Sequence, residues 1–274
     1  MTELNDALRA DLLATAHLLA DAARRATLLH FRTDLLAENK EALRFDPVTV
    51  ADRLAETEMR AILAARRPMD GILGEEFGAV AGTSGLTWVL DPIDGTRGYL
   101  SGTPTWGVLI SVRDAGGVLF GLIDQPYIGE RFVGGFGLAE VTGPMGRRAL
   151  RVRGARGLDQ ALLLSTFPEV GTPEEGAAFR RVAAAVRLTR YGMDCYGYAL
   201  LALGQVDLVI EAGLQAYDIQ APIAVIEAAG GMVTNWQGGP CLDGGQVLAA
   251  ANPAVHQAAM AHLNRQGGSA PKPP

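Results

Sequence analysis

The sequence predicts a layered α/β fold, and three observations support this prediction. Segments with helical spacing of apolar residues alternate with short apolar runs bounded by turn residues, as helices and strands do. Of the 274 residues, 49% are hydrophobic and 20% are charged, the balance of an ordinary globular chain. A chain of this length can bury a large core. We therefore expect helices and sheets to stack in layers, arranged in two halves.

The N-terminal half is predicted to open with two helices and continue into a sheet. Residues 5–31 place leucines and alanines on one face, which is typical of an amphipathic helix. A second helical pattern resumes near Asp52 and stops at Pro68. Turn residues between the later apolar runs predict an antiparallel meander. The predicted strands are residues 72–73, 87–90, 108–112, 118–123 and 131–133.

A polar, glycine-rich segment at residues 143–148 is the predicted boundary between the two halves, residues 1–144 and 145–266. Beyond it the strands are predicted at residues 161–165, 206–210 and 247–250. The helices are predicted at residues 173–188 and 196–203, from Ala216 to the Gly230-Gly231 stop, and from Pro253 onward. Residues 267–274 are small residues, prolines and one lysine, and we expect a disordered tail there.

The composition excludes several classes of protein. A net charge of -6 argues against broad nucleic-acid binding. The N-terminus lacks the order of a signal peptide, and no apolar run is long enough to cross a bilayer. Cys195 and Cys241 are too few for a disulfide framework, and no histidine neighbours the acidic motifs described below. We expect a cytoplasmic protein that binds neither nucleic acid nor membranes.

The most informative segment is Trp-Val-Leu-Asp-Pro-Ile-Asp-Gly-Thr at residues 88–96. Its carboxylates, Asp91 and Asp94, suit Mg²⁺, which prefers oxygen ligands and commonly binds through one or two carboxylates plus a substrate phosphate. Gly95 permits close backbone approach to an anion, and a helix opening at Thr96 would direct free N–H groups toward it. An ordinary Asp-Pro turn capped by Asp94 fits these residues equally well.

Three further acidic segments surround this motif. Glu75 lies in a Gly-Glu-Glu turn after a predicted strand, Asp52 leads into a helix, and Asp218 opens another helix. Each has a simpler explanation, since Glu75 suits a solvated turn and Asp52 and Asp218 suit helix N-caps. Their occurrence in this order around Asp91 and Asp94 is what indicates one shared site.

With these motifs in this order, the chain resembles the inositol monophosphatase superfamily of Mg²⁺-dependent phosphomonoesterases. The resemblance covers residue 46 to about residue 252. It rests on the Gly-Glu-Glu turn, the Asp-Pro-Ile-Asp-Gly-Thr segment and the Tyr-Asp…Glu-Ala-Ala-Gly-Gly helix. It implies the alternating αβαβα sandwich of sugar phosphatases, with the metals between the two halves, a small phosphorylated metabolite as substrate, and a homodimer.

The resemblance also implies the metal ligands. It assigns Glu75, Asp91 and the backbone carbonyl of Ile93 to one Mg²⁺. It assigns Asp91, Asp94 and Asp218 to a second, with Asp91 shared. A third, weaker ion is implied near Glu75, so that the site would hold two to three Mg²⁺, in the manner of a two-metal displacement.

The implied catalytic residues are Glu75, Thr96 and Asp52. Asp52 would accept the hydroxyl proton of Thr96, which would then orient the attacking water and help to deprotonate it. Such positioned proton transfer typically contributes about 10²–10⁴-fold. The N–H groups of Gly95 and Thr96 would hold the phosphate oxygens.

Segments outside the metal motifs resemble the histidinol-phosphate phosphatase branch, namely residues 121–126, 129–131, 194–196 and 206–212. In this interpretation Glu211 and Asp194 receive the ammonium or imidazole of the substrate, since charge-assisted hydrogen bonds are stronger than neutral ones. Asp194 could instead cap the helix that follows it. Arg97 contacts the phosphate or forms a structural ion pair, and the residues favour neither.

Two alternative functions stay open at this point. The first is the same chemistry on inositol phosphates or on other sugar or nucleotide phosphates. The second is a non-catalytic binding protein on the same fold, which is disfavoured because no predicted metal ligand is missing. Pro222 adds a structural question, because the helix carrying Asp218 begins either near Ile219, with proline inside it, or at Pro222 itself.

Overall fold

The structure, a computed structural model, describes residues 4–34, 38–39 and 47–265. The helices are α1 (Asp6–His30), α2 (Val50–Arg66), α3 (Thr96–Ser101), α4 (Pro173–Ala183), α5 (Asp194–Ala202), α6 (Ala216–Ala228) and α7 (Pro253–Leu263). The strands are β1 (Glu38–Asn39), β2 (Pro47–Val48), β3 (Gly71–Gly74), β4 (Gly78–Val80), β5 (Thr87–Asp94), β6 (Gly107–Asp114), β7 (Gly117–Gln125), β8 (Glu130–Gly135), β9 (Leu138–Gly143), β10 (Gly146–Ala149), β11 (Leu162–Ser165), β12 (Leu188–Tyr191), β13 (Leu208–Gln215), β14 (Met232–Thr234) and β15 (Gly244–Ala250). None of the helices described is long and apolar enough to cross a membrane.

The first sheet contains eight of the described strands, in the order β10-β9-β8-β7-β6-β5-β3-β4. From β5 to β10 each strand pairs antiparallel with the next, so the predicted meander is confirmed and extends further than expected. β3 runs parallel to β5. The chain leaving β3 therefore emerges beside β5, and the backbone N–H of Glu75 donates to the Leu90 carbonyl at 3.2 Å.

The second sheet, within residues 162–250, has the order β12-β11-β13-β15-β14. β11 runs parallel to both β12 and β13, whereas β15 is antiparallel to β13 and β14. This mixed arrangement brings the ends of β11 and β13 to the same edge of the sheet. The segments that follow these two strands line the cleft described below.

The helices and sheets stack in five layers, with hydrophobic core between them. α1 and α2 cover one face of the first sheet, where Leu12 and Met59 pack with Trp88. α5 and α6 fill the space between the two sheets, and α4 and α7 cover the outer face of the second, where Phe179 and Val255 are buried. Each sheet thus has helices on both faces, which buries both of its apolar surfaces. The predicted αβαβα sandwich is confirmed.

A buried ion-pair network attaches α1 to the first sheet. Asp124 on β7 is fully buried and accepts hydrogen bonds from Arg24 at 2.7 and 3.0 Å and from Arg131 at 2.7 Å. Arg131 also donates to Asp21 on α1 at 2.7 Å. A buried carboxylate is tolerated when it is paired in this way. Asp124 and Arg131 belong to segments that resemble the histidinol-phosphate branch, and the structure gives them a packing role.

The structure also corrects several expectations. Residues 143–148 lie in the β9–β10 hairpin, in which Gly146 has a φ of 84°. The helix predicted at residues 173–188 ends at Ala183, and Leu188 begins β12, the edge strand of the second sheet. α6 begins at Ala216, so Pro222 lies inside it. The division into two domains stays a prediction, and the predicted tail lies outside the described residues.

Candidate active site

A cleft of about 1030 Å³ is lined by residues from both sheets. Its walls come from the turn after β3, the end of β5, the start of α3, the segment after β11, the start of α5, β13 and the start of α6. The predicted residues Glu75, Asp91, Asp94 and Asp218 all line it. The cleft therefore brings together acidic side chains that are up to 143 positions apart in the sequence.

A bulge in β5 explains how Asp91 and Asp94 reach the same cleft. In a regular strand, residues three positions apart point to opposite faces. Here Asp91 pairs with Leu109 and Asp94 with Gly107, so β5 contains one more residue than β6 between the two pairs. Such an extra residue bends the strand and redirects the side chains that follow. Asp91 also stabilises this bend, since its Oδ1 accepts the Ile93 N–H at 3.0 Å.

Glu75 is held beside Asp91 by a buried carboxylate on α2. Glu56 is fully buried and accepts the backbone N–H groups of Glu76 at 2.7 Å and Phe77 at 3.2 Å, which fixes the turn. Glycine at position 74 leaves room for this carboxylate, because a Cβ there would lie 2.0 Å from Glu56 Oε1. Glu56 is a positioning residue that no sequence motif marks. Its i, i+4 spacing to Arg60 is an ordinary helix pattern and does not indicate this role.

Asp218 reaches the cleft from the first turn of α6. Its Oδ2 accepts the N–H of Gln215 at 2.6 Å, and the Gln215 side chain completes the capping box. Pro222 has no N–H, so it cannot make the helical bond to the carbonyl four residues earlier, which is that of Asp218. The helix nevertheless continues through Pro222 to Ala228. Asp218 is thus both a helix cap and a member of the acidic cluster.

The carboxylates form one crowded group. Asp91, Asp94 and Asp218 each place an oxygen within 4.8 Å of the others. The pKa of Asp91 lies well above its usual range. Removal of the carboxylate from water is the largest cause, and repulsion from Glu75, Asp94 and Asp218 adds to it. Removal from water and repulsion from Asp218 and Asp194 likewise raise the pKa of Asp94. The pKa of Asp218 rises to about 7, chiefly because of burial. A positive charge between three carboxylates this close would stabilise their charged forms.

This donor set fits Mg²⁺. The ion prefers hard oxygen ligands and binds through few carboxylates while keeping places for water and phosphate. Asp91, Asp94 and Asp218 would hold it, with Glu75 next to them, close enough for its charge and a hydrogen bond to raise the pKa of Asp91. The carbonyl of Ile93, predicted as a further ligand, accepts the Thr96 hydroxyl at 3.1 Å.

The predicted hydrogen bond between Asp52 and Thr96 is not present among the described residues, because each side chain is engaged locally. Asp52 stands at the third position of α2, where its Oδ2 accepts the N–H and hydroxyl of Thr49 at 2.9 and 2.6 Å. Within the described part of the chain its Oδ1 is buried and has no hydrogen-bond partner. Burial raises the pKa of Asp52 to about 6. The catalytic pairing of Asp52 with Thr96 stays a prediction.

The turn between β5 and α3 is built around Gly95 and Asp194. Gly95 has φ 84° and ψ 41°, a left-handed conformation that glycine adopts without strain, and α3 begins at Thr96 as predicted. A Cβ on Gly95 would lie 2.6 Å from Cγ of Asp194. Asp194 accepts the Thr105 hydroxyl at 3.0 Å and makes no side-chain cap for α5. Burial raises its pKa.

Two further predicted residues, Glu211 and Arg97, also line the cleft. Glu211 on β13 accepts the N–H and hydroxyl of Thr166 at 2.9 and 2.7 Å, both through Oε1. No hydrogen bond among the described residues uses its Oε2. Arg97 on α3 has its guanidinium 4.8 Å from the centre of the Phe167 ring. Neither Thr166 nor Phe167 was predicted, because the segment after β11 has no motif that marks it.

Comparison with known proteins identifies the family. The family described as "Inositol monophosphatase family" matches residues 9–267. The chain belongs to the inositol monophosphatase family. Its members are Mg²⁺-dependent phosphatases that act on phosphorylated small molecules. The acidic cluster is therefore the candidate metal centre of a metal-dependent phosphatase.

Individual relatives cover nearly the whole chain. The bifunctional phosphatase IMPL2 of Arabidopsis thaliana is 37% identical over 96% of this chain and 78% of its own length. A histidinol-phosphatase of Streptomyces coelicolor is 36% identical over 93% of this chain and 98% of its own. Among solved structures, an inositol monophosphatase from Zymomonas mobilis superposes with a TM-score of 0.82 and 38% identity, covering 93% of this chain and 98% of that one.

Replacing Asp94 with asparagine tests the metal centre. Asp94→Asn keeps an oxygen for the Cys195 N–H, which Asp94 accepts at 2.6 Å, so the family fold should persist. The variant loses one anionic ligand, and we expect Mg²⁺-dependent phosphate release to fall by about 100-fold or more. Asp243→Asn is the matched control, since Asp243 has a 96% exposed side chain outside the cleft. Substantial activity in a folded Asp94→Asn protein, verified by circular dichroism and melting temperature, would contradict the assignment.

Proposed function

We propose that this inositol monophosphatase family member hydrolyses L-histidinol phosphate to L-histidinol and inorganic phosphate. The observation that carries the choice of substrate is the charge of the cleft. Among the described residues that line it, eight are acidic and one, Arg97, is basic. The acidic residues are Glu75, Asp91, Asp94, Glu169, Glu175, Asp194, Glu211 and Asp218.

Four of these carboxylates belong to the metal centre. The other four leave the rest of the cleft with more negative than positive charge, since it has one guanidinium. A substrate that carries an ammonium and an imidazole beside its phosphate complements such a wall. An inositol phosphate offers only hydroxyl groups there. Charge-assisted hydrogen bonds are about twice as strong as neutral ones, so the remaining carboxylates favour the cationic ester.

Glu211 is the best-placed acceptor for the substrate cation. It is 8% exposed, and Thr166 fixes one of its oxygens. Burial raises the pKa of Glu211 to about 8. A bound ammonium would stabilise its charged form, which water does only poorly at this site. Asp194, held by Thr105, lies nearer to Gly95 and would extend the negative wall toward the phosphate.

The named relatives support histidinol phosphate as the substrate but do not distinguish it from inositol monophosphate. Proteins named histidinol-phosphatase from Streptomyces coelicolor, Mycobacterium tuberculosis and Chlorobaculum parvum are 36%, 34% and 32% identical to this chain. The family also includes inositol monophosphatases of similar identity. Hydrolysis of inositol monophosphate is therefore the alternative substrate assignment.

The arrangement of the chain's own residues supports in-line attack by water on the phosphorus. When bound, Mg²⁺ supplies charge neutralisation for the phosphate and acidifies the attacking water. The left-handed Gly95 turn presents the first N–H groups of α3 to the phosphate oxygens. As the family resemblance implies, Thr96, which lines the cleft, would orient the water, and the Oδ1 of Asp52, which has no hydrogen-bond partner among the described residues, would accept the hydroxyl proton of Thr96.

Further proposals concern the number of bound Mg²⁺ ions, the location of the protein and its oligomeric state. We propose that two to three Mg²⁺ bind, because Glu75 adds a fourth carboxylate beside the group of three. The protein is further proposed to be a cytoplasmic homodimer, as the family resemblance implies. A purely non-catalytic binding role is disfavoured by the presence of all four carboxylates in one cleft.

Phosphate release from L-histidinol phosphate and from myo-inositol 1-phosphate, measured side by side with Mg²⁺ and with chelator, tests the proposal. We expect Mg²⁺-dependent release with a higher kcat/KM for histidinol phosphate, because only this ester places positive charge on the acidic wall. A higher kcat/KM for inositol phosphate would keep the phosphatase chemistry and reject the substrate. Absence of Mg²⁺-dependent release from both would reject the catalytic proposal for these esters.

A substitution at Glu211 tests recognition of the cation. Glu211→Gln retains the oxygen that accepts the Thr166 bonds but removes the charge. Since hydrogen bonds to charged groups contribute about 1.5–3 kcal/mol, we expect kcat/KM for histidinol phosphate to fall about 10- to 100-fold. Hydrolysis of p-nitrophenyl phosphate, which has no cationic group, should change much less. Glu174→Gln, on α4 outside the cleft, is the control. Equal losses on both esters would remove Glu211 from cation recognition.

A further inference from the structure

One aromatic side chain stands out in the acidic cleft. Phe167 follows β11 and lines the cleft, and 43% of its surface is exposed. Two polar residues of the same segment line the cleft beside it, Thr166 before it and Glu169 two positions after it. An exposed ring among polar groups has apolar surface that a ligand can cover, and covering it is favourable in proportion to the area removed from water.

The ring is held in place before any ligand arrives. The guanidinium of Arg97 on α3 lies 4.8 Å from its centre, within the range of a cation–π interaction. Pro168 follows Phe167 and restricts its backbone to extended conformations. The Ser165 hydroxyl donates to the Phe167 carbonyl at 3.4 Å. An aromatic surface fixed in this way loses little freedom when a ligand packs against it.

The charges beside the ring define what it can bind. Thr166, the preceding residue, holds Glu211 through its N–H and hydroxyl groups. Glu169 lines the same wall. A flat ligand that packs on Phe167 would therefore lie near two carboxylates, those of Glu211 and Glu169. A ring that carries partial or full positive charge matches both the face of the aromatic and these acidic groups.

We propose that Phe167 is a specificity-determining residue, whose ring packs against the planar, unsaturated end of the substrate while Glu211 binds the adjacent ammonium. This inference rests on the proposed function and extends it, because it names the part of the cleft that distinguishes a heteroaromatic phosphate ester from an aliphatic one. Arg97 acts as a positioning residue, since its guanidinium stacks on the ring.

The test compares two esters that differ in the ring alone. L-histidinol phosphate and L-alaninol phosphate share the phosphate and the ammonium, and the second lacks the imidazole. In Phe167→Leu, which keeps apolar bulk and loses the aromatic face, we expect KM for histidinol phosphate to rise about threefold to tenfold. KM for alaninol phosphate should change less than about twofold, since no ring contact is lost. Phe167→Tyr, which restores an aromatic face, should return KM for histidinol phosphate toward the wild-type value.

Tyr127→Leu is the matched control. Tyr127 is also an exposed ring with an arginine over it, Arg32 at 4.4 Å, but it does not line the cleft. An equal KM increase for both esters in Phe167→Leu, an unchanged KM for histidinol phosphate, or no recovery in Phe167→Tyr would overturn the proposal. The wild-type protein distinguishes this failure from that of the proposed function, because it would still hydrolyse histidinol phosphate with Mg²⁺.

Discussion

Mutual repulsion among closely spaced carboxylates is the constraint on which the rest of this structure depends. Asp91, Asp94 and Asp218 bring oxygens within 4.8 Å of one another, Asp91 is buried and the other two are partly buried, and all three have raised pKa values. Such a group keeps its charge when the fold holds each side chain in place and a cation compensates the repulsion. The fold holds these side chains in place and leaves a cleft in which a cation can bind between them.

Each carboxylate is fixed by a different local device. The bulge in β5 places Asp91 and Asp94 on one side, and the Cys195 N–H at the start of α5 holds Asp94. A capping box holds Asp218, and the buried Glu56 shapes the turn of Glu75. These devices come from both sheets and from three helices. The metal centre consequently links the layers, and positions outside it become sensitive to its geometry.

The sequence predicted the helices, the meander and the acidic residues, because apolar periodicity and turn residues are local signals. It did not predict the roles of Glu56, Thr166 and Phe167, whose functions arise from contacts between distant segments. The β9–β10 hairpin lies where the sequence predicted a domain boundary, since its glycines and arginines suit either structure. The catalytic pairing of Asp52 with Thr96 stays a prediction, and in the structure the Thr49 cap engages only the Oδ2 of Asp52.

Equilibrium Mg²⁺ binding, measured by isothermal titration calorimetry, tests most directly the claim that one metal centre is assembled from the first sheet and α6. Asp218→Asn removes the ligand contributed by α6, while Glu169→Gln removes a cleft carboxylate outside the group of three. We expect the dissociation constant to rise about tenfold or more in Asp218→Asn and to stay near the wild-type value in Glu169→Gln. Wild-type affinity in Asp218→Asn, or equal weakening in both variants, would show that general acidity rather than this centre binds the ion.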